Sequence, residues 1–165
     1  MADRTDTTYE ANATHGYLAQ LLMGDGTSPE AFEAVALVRS ITPGRMETAV
    51  IDKTHLRSPA AHREKMPGMR DSGAFVCACI MDLSEESQSN AGGGSGAFQN
   101  GGTLAKWIDR SVHNWQIRFG AGSPQTAFPF SGFVSAWQLG EIGQDDLIPL
   151  TLEITPASDF SSNLP

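Results

Sequence analysis

Basic residues are scarce in this chain: Lys and Arg number 11 against 19 Asp and Glu, leaving a net charge of −8. Tight wrapping of nucleic acid calls for the opposite sign, because affinity comes from cations that displace counterions from phosphates. Long apolar runs are also missing, and none approaches the roughly 20 residues that span a bilayer. No membrane partner is expected. Cysteine is confined to Cys77 and Cys79. Two residues apart on a strand, they share a face in a geometry poor for a disulfide. Two thiols with no histidine close in sequence do not complete a zinc site. They read as small buried hydrophobes of a protein assembled in a reducing compartment. Met1 to Tyr9 is polar and mixed in charge, so no secretory signal is expected.

Catalytic constellations are missing too. Of the four histidines, His15, His55, His62 and His113, the middle pair lies seven apart in a loop-like stretch with Glu64 near, which is no standard ligand spacing. Ser95 lacks the second flanking glycine of a nucleophile elbow, because Ala97 stands there. Gly92 to Gly96 lacks the Lys-Ser/Thr pair of a phosphate loop. The acid pairs Glu85-Glu86 and Asp145-Asp146 sit in turn-like polar segments, where solvated surface is the simpler reading. The expectation is a protein without enzymatic activity, metal or cofactor.

What is present is a mostly β pattern. With 165 residues and 40% hydrophobic content, the chain suits one globular domain. Seventeen glycines and nine prolines cut it into short pieces. Leu18 to Met23, Val35 to Ile41, Arg45 to Thr54, Gly73 to Leu83, Trp115 to Phe119, Thr126 to Trp137 and Ile148 to Thr155 read as strands. Gly73 to Leu83 is apolar on both faces, implying cover on both. Pro129 and Gly132 suggest a bulge or an edge in their strand. In the last strand Ile148, Leu150, Leu152 and Ile154 should face inward. Ser28-Pro29-Glu30 could cap one helical turn. One true helix is expected, capped by Thr103, with Leu104, Trp107, Ile108 and Val112 forming a stripe that must lie on a sheet or a neighbouring subunit. Periodicity makes Trp107 and Trp115 core and leaves Trp137 open. Residues 55–72 read as a long loop, 84–102 as a Gly-rich flexible insertion, and 157–165 as a short tail after a single domain over 1–156. The fold class is a β-sandwich or small barrel with one flanking helix.

Charge placement is the informative feature. Arg45, Lys53, Arg57, Arg63, Lys65 and Arg70 meet only Glu47, Asp52 and Glu64 between residues 45 and 70, a local net of +3, while the remaining five bases and sixteen acids give −11. A basic arm on an acidic body suits head-to-tail binding between copies, with the arm of one meeting acids such as Asp82, Glu85 and Glu86 or Asp145 and Asp146 of the next. The sixteen residues from Leu56 to Asp71 reach about 50 Å if extended. Such a segment would order when it meets its partner.

The residues also resemble a family. Phe32, Val38-Arg39-Ser40-Ile41-Thr42-Pro43-Gly44, Val50-Ile51-Asp52-Lys53-Thr54 and Arg63-Glu64-Lys65-Met66-Pro67-Gly68-Met69-Arg70-Asp71-Ser72-Gly73, followed by the strand up to Met81-Asp82, are similar in order and spacing to the major tail tube protein of bacteriophages with long non-contractile tails. The resemblance covers about 120 residues and implies hexameric rings stacked into a virion tail tube that conducts DNA into the host cell. It implies inter-ring contacts through the arm, with Arg45, Lys53, Arg57, Arg63, Lys65, Met66 and Arg70 as candidates. The negative charge then suits a bore along which double-stranded DNA slides without tight binding, lined or rimmed by Glu153, Glu141, Asp145 or Asp146. Further implied partners are a tape-measure protein in the lumen and the tail terminator and tail tip or baseplate proteins, with synthesis in the host bacterial cytoplasm. No additional immunoglobulin-like domain is expected after the last strand. Alternatives are the tube of a contractile tail, a type VI secretion system or a gene-transfer particle, and a carbohydrate- or receptor-binding β-sandwich using its tryptophans as platforms.

Overall fold

The structure, a computed structural model, describes residues 19–55, 62–82, 84–89, 96–120, 126–144 and 146–157. They form nine strands: β1 (Gln20–Gly24), β2 (Phe32–Ala34), β3 (Val38–Thr42), β4 (Glu47–Asp52), β5 (Lys65–Asp71), β6 (Phe75–Ile80), β7 (His113–Phe119), β8 (Thr126–Leu139) and β9 (Pro149–Pro156). One helix, α1 (Thr103–Asp109), follows a single 3-10 turn at Gly96–Phe98. The fold is mostly β and antiparallel, as its composition implies.

Seven strands make one sheet in the order β2-β1-β7-β8-β9-β6-β3, and β4 and β5 make a separate two-stranded sheet. The large sheet curls until β1 approaches β3, without closing into a barrel. Period-2 alternation determines what it encloses. Phe75, Cys77 and Cys79 of β6 point inward with Leu150, Leu152 and Ile154 of β9, and Trp115 and Ile117 of β7 meet them. Trp115 is fully buried, and its indole N–H donates to the carbonyl of Gly132 at 3.1 Å, so its polar atom is satisfied. Phe75 stacks on Phe130 with ring centroids 4.4 Å apart.

Several expectations are corrected. Beta-6 is covered on one face only among the described residues: Val76 and Ala78 are exposed, because its strand neighbours occupy its edges and no described element lies over its outer side. Beta-8 is central rather than an edge, and its bulge falls between Val134 and Ala136, past Pro129 and Gly132. No helical turn forms at Ser28-Pro29-Glu30; Asp25 instead accepts hydrogen bonds from the amides of Thr27 and Ala31, and the chain then enters β2.

The described parts of 84–102 are not a loose insertion. Gln88 is fully buried; its Nε2 donates to the carbonyls of Ala36 and Ile80, and its Oε1 accepts from the amide of Asp82. Ala97 and Phe98 enter the main core. Residues 90–95, including the glycine run and Ser95, lie outside the described residues.

The helix also differs from expectation. Gly102 is its N-cap, and the buried Thr103 Oγ1 has no hydrogen-bond partner. The amides of Gly102 and Thr103 donate to the carbonyls of Ser89 and Ser87, and a Cβ at Gly102 would strike the backbone of Glu86 and Ser87. The face carrying Thr103 and Ala105 therefore approaches most closely, burying both and Lys106 with them. Trp107, Ile108 and Val112 point out, at 45%, 51% and 56% exposure, so Trp107 is not core. The helix ends at Arg110 in the left-handed conformation, which takes Val112 off it altogether.

Candidate assembly interface

The predicted loop 55–72 is in large part a hairpin. Residues 65–71 form β5, which pairs with β4 in the register Ile51↔Met66 and Asp52↔Lys65. The pairing extends towards the tip, where the Lys53 amide donates to the Glu64 carbonyl and the Glu64 amide to Thr54 Oγ1. At the base the two strands' connections converge through glycine. A Cβ on Gly44 would lie 2.7 Å from the amide nitrogen of Ala74, and Gly73 has φ +59°, in the left-handed region glycine favours.

Among the described residues, nothing covers this hairpin. Every residue of β4 is exposed, as is all of β5 except the half-buried Gly68. Val50, Ile51, Met66 and Met69 are 65%, 48%, 44% and 88% exposed. A two-stranded hairpin is marginal alone in water, and apolar residues on it gain only when a further surface covers them.

The charges sort within the hairpin. Arg45 pairs with Glu47 at 2.8 Å and Lys53 with Glu64 at 3.8 Å. Both pairs are exposed enough to contribute little to stability. Asp52 is held below its ordinary pKa, chiefly by hydrogen bonds from the Thr54 side chain and backbone and secondarily by Lys65. Arg63 has no ion-pair partner among the described residues. Of the sequence-predicted arm residues, Arg45, Lys53, Arg63, Lys65, Met66 and Arg70 therefore share this hairpin and its approach to the tip, while Arg57 lies outside the described residues.

The acidic candidates divide. Glu153 lies on β9 opposite Val76 and Ala136, half-buried on the side away from the core. Glu141 and Asp146 are exposed in the β8–β9 connection and line an open groove of about 630 Å³ with Arg39, Gly143, Leu147 and Pro149. Asp145 lies outside the described residues. Sequence reasoning missed Ile142 and Leu147, 67% and 70% exposed beside these acids, and, Met66 apart, the apolar content of the hairpin. The signal for the latter was there: Val50-Ile51 and Met66 through Met69 are interleaved with the very cations that drew attention.

Cys77 and Cys79 are free and buried. Burial pushes their thiols up, to about 12 and about 11, with Cys79 adding to the shift of Cys77, so neither is a nucleophile at neutral pH. Among the described residues no three His, Cys, Asp or Glu side chains converge as a metal-ligand set.

No family model matches the chain, and no curated protein matches it. Solved structures do. A chain in the tail of an empty gene transfer agent particle, refined helically with C6 symmetry, is similar with a TM-score of 0.61 and 15% identity, over 90% of this chain and 98% of that one. A chain in the virion of a native gene transfer agent particle gives 0.60 and 14%, over 88% and 95%. A chain of the sixfold-symmetrised baseplate of the anti-feeding prophage gives 0.54 and 11%, over 89% and 93%. At such identities the likeness is one of fold: this chain has the fold found in tail components of phage-like injection machines, which are structural parts of assembled particles.

Proposed function

We propose that the protein is a structural tail-tube subunit of a phage or phage-derived particle, forming hexameric rings that stack into a conduit for DNA. One observation carries this reading: β4 and β5 pair with each other, expose apolar residues on a cationic scaffold and have no cover from the described residues of their own chain. A second copy supplies that cover, and a head-to-tail contact between identical subunits propagates into rings and tubes. The similarity to gene transfer agent tail chains supports the same reading and extends it from long non-contractile phage tails to gene-transfer particles.

The bore is best assigned to the outer face of β6 and β9. Val76, Ala78, Thr151, Glu153 and Thr155 alternate with the core residues there and carry one charge, an acid. A duplex finds no cations to grip on such a face and slides. In this reading the tape-measure protein occupies the same space before DNA passes, and terminator and tip or baseplate proteins close the ends. The virion is the site of action, after synthesis in the host cytoplasm.

A variant in which residues 46–72 are replaced by a short Gly-Ser link tests the reading. Because the hairpin packs against none of the other described elements, the variant should fold with unchanged near-UV circular dichroism yet remain monomeric at concentrations where the full chain polymerises. Polymerisation equal to that of the full chain would overturn the assignment.

A further inference from the structure

We infer that the groove between β3 and the β8–β9 connection is the receptor for the β4–β5 hairpin of a second copy. The inference rests on the tube reading and names the surface on the other side of its contact. The groove, about 630 Å³ and open to solvent, is lined by Arg39, Glu141, Gly143, Asp146, Leu147 and Pro149. Glu141 and Asp146 have no ion-pair partner among the described residues, and neither does Arg63 near the hairpin tip. Asp145 adds a further negative charge to the sequence of this connection.

The match is apolar as well as ionic. Ile142 and Leu147 expose 67% and 70% of their surface beside the acids, and Ile51, Met66 and Met69 do the same beside the hairpin's cations. Apolar groups at the centre with opposite charges around them are the arrangement that gives a contact both affinity and register. A second exposed apolar surface among the described residues, Trp107, Ile108 and Val112, is flanked by Asp109 and Arg110 and offers no acidic excess to a cationic arm. The register of β4 and β5 gives the arm its reach. From Arg45 to Thr54 the strand spans about 30 Å, at roughly 3.3 Å per residue. Arg39, on the groove wall, offers a cation to Asp52 near the hairpin tip, which forms no ion pair among the described residues.

The test is a cross-link between two differently marked copies. Met66→Cys protein is mixed with Leu147→Cys protein, polymerised and then oxidised. Both positions are exposed, so neither change should disturb folding, and the native thiols are buried with raised pKa and do not compete. The expected result is a disulfide-linked dimer on non-reducing gels, formed in polymer and absent when either variant is oxidised alone. Polymer without the cross-link overturns the groove assignment and leaves the tube reading standing. Failure of the parent protein to polymerise at all overturns both. A charge exchange gives a second readout: Glu141→Arg with Asp146→Arg should abolish assembly, and mixing it with Arg63→Glu/Lys65→Glu protein should restore mixed polymer. No restoration, in protein of native circular dichroism, counts against the pairing.

Discussion

Ile51 and Met66 stand directly opposite each other across the β4–β5 ladder, and both remain exposed, at 48% and 44%. Cross-strand apolar pairs normally mark the face a sheet buries. Here none of the described residues supplies the burying surface, which is why the pair is assigned to an interface. Ile51→Asp or Met66→Asp should change unfolding free energy by no more than about 0.5 kcal/mol, the range of exposed substitutions, while abolishing polymerisation. Urea denaturation and sedimentation velocity read the two effects separately, and a large loss of monomer stability would contradict the assignment.

Arg63 and Lys65 should act on assembly alone. The double reversal Arg63→Glu/Lys65→Glu leaves the core untouched, because both side chains are exposed and neither enters it. Light scattering at rising concentration should show no polymer, with the melting temperature unchanged. Normal polymer would remove the cationic arm from the contact. The parent's polymerisation should weaken with added salt, as exposed charge pairs do.

Hydrogen exchange follows from the same geometry. Amides of 65–71 should exchange fast in free subunits, where the hairpin lacks a packed face, and slowly in polymer. Equal protection in both states would show that the hairpin is already held within its own molecule.

Gln88 makes the opposite kind of prediction, one about the fold. Its side chain satisfies Ala36, Ile80 and Asp82 at 3.0, 2.8 and 2.9 Å from a fully buried position. Gln88→Leu should cost about 2–4 kcal/mol, because buried backbone groups lose their partners. Urea titration of the monomer checks it.

His113 gives the monomer a pH dependence. Half-burial holds its pKa below the ordinary 6.5, with Lys106 pushing the same way and Asp109 and Glu30 opposing, while Ser111 hydrogen-bonds its Nε2 at 2.9 Å. A folded-state pKa below the unfolded one means that stability is full above pH 6.5 and declines as pH falls through the folded value. The melting temperature should drop between pH 7.5 and 5.5 (about one pH unit to either side of the free imidazole's midpoint) more in the parent than in His113→Asn.

The β pattern of this chain is legible wherever one face of a strand is buried by the chain itself. Leu150, Leu152 and Ile154 alternate with Thr151 and Glu153, and Trp115 and Ile117 alternate with Gln116; all face as their period dictates. Legibility fails where burial is supplied by something outside the local pattern. Beta-5 escaped notice because Pro67 and Gly68 interrupt it and none of the described residues packs over it. The helix stripe pointed outward because Gly101, Gly102 and Ala105 allow the small face to pack closer than the large one. The 84–102 segment read as linker from its glycines, while two side chains, Gln88 and Phe98, tie it into the core. At the candidate interface the cations were visible as a charge cluster, with Met66 beside them; the other apolar residues, Val50, Ile51 and Met69, were not singled out, since their burial depends on a second molecule.

Negative-stain electron microscopy of the purified, concentrated protein tests the central claim most directly. The account predicts hollow tubes of uniform width with sixfold end views, lost in the hairpin-deleted variant. Particles that remain single folded monomers at every concentration, with the hairpin intact, would contradict it.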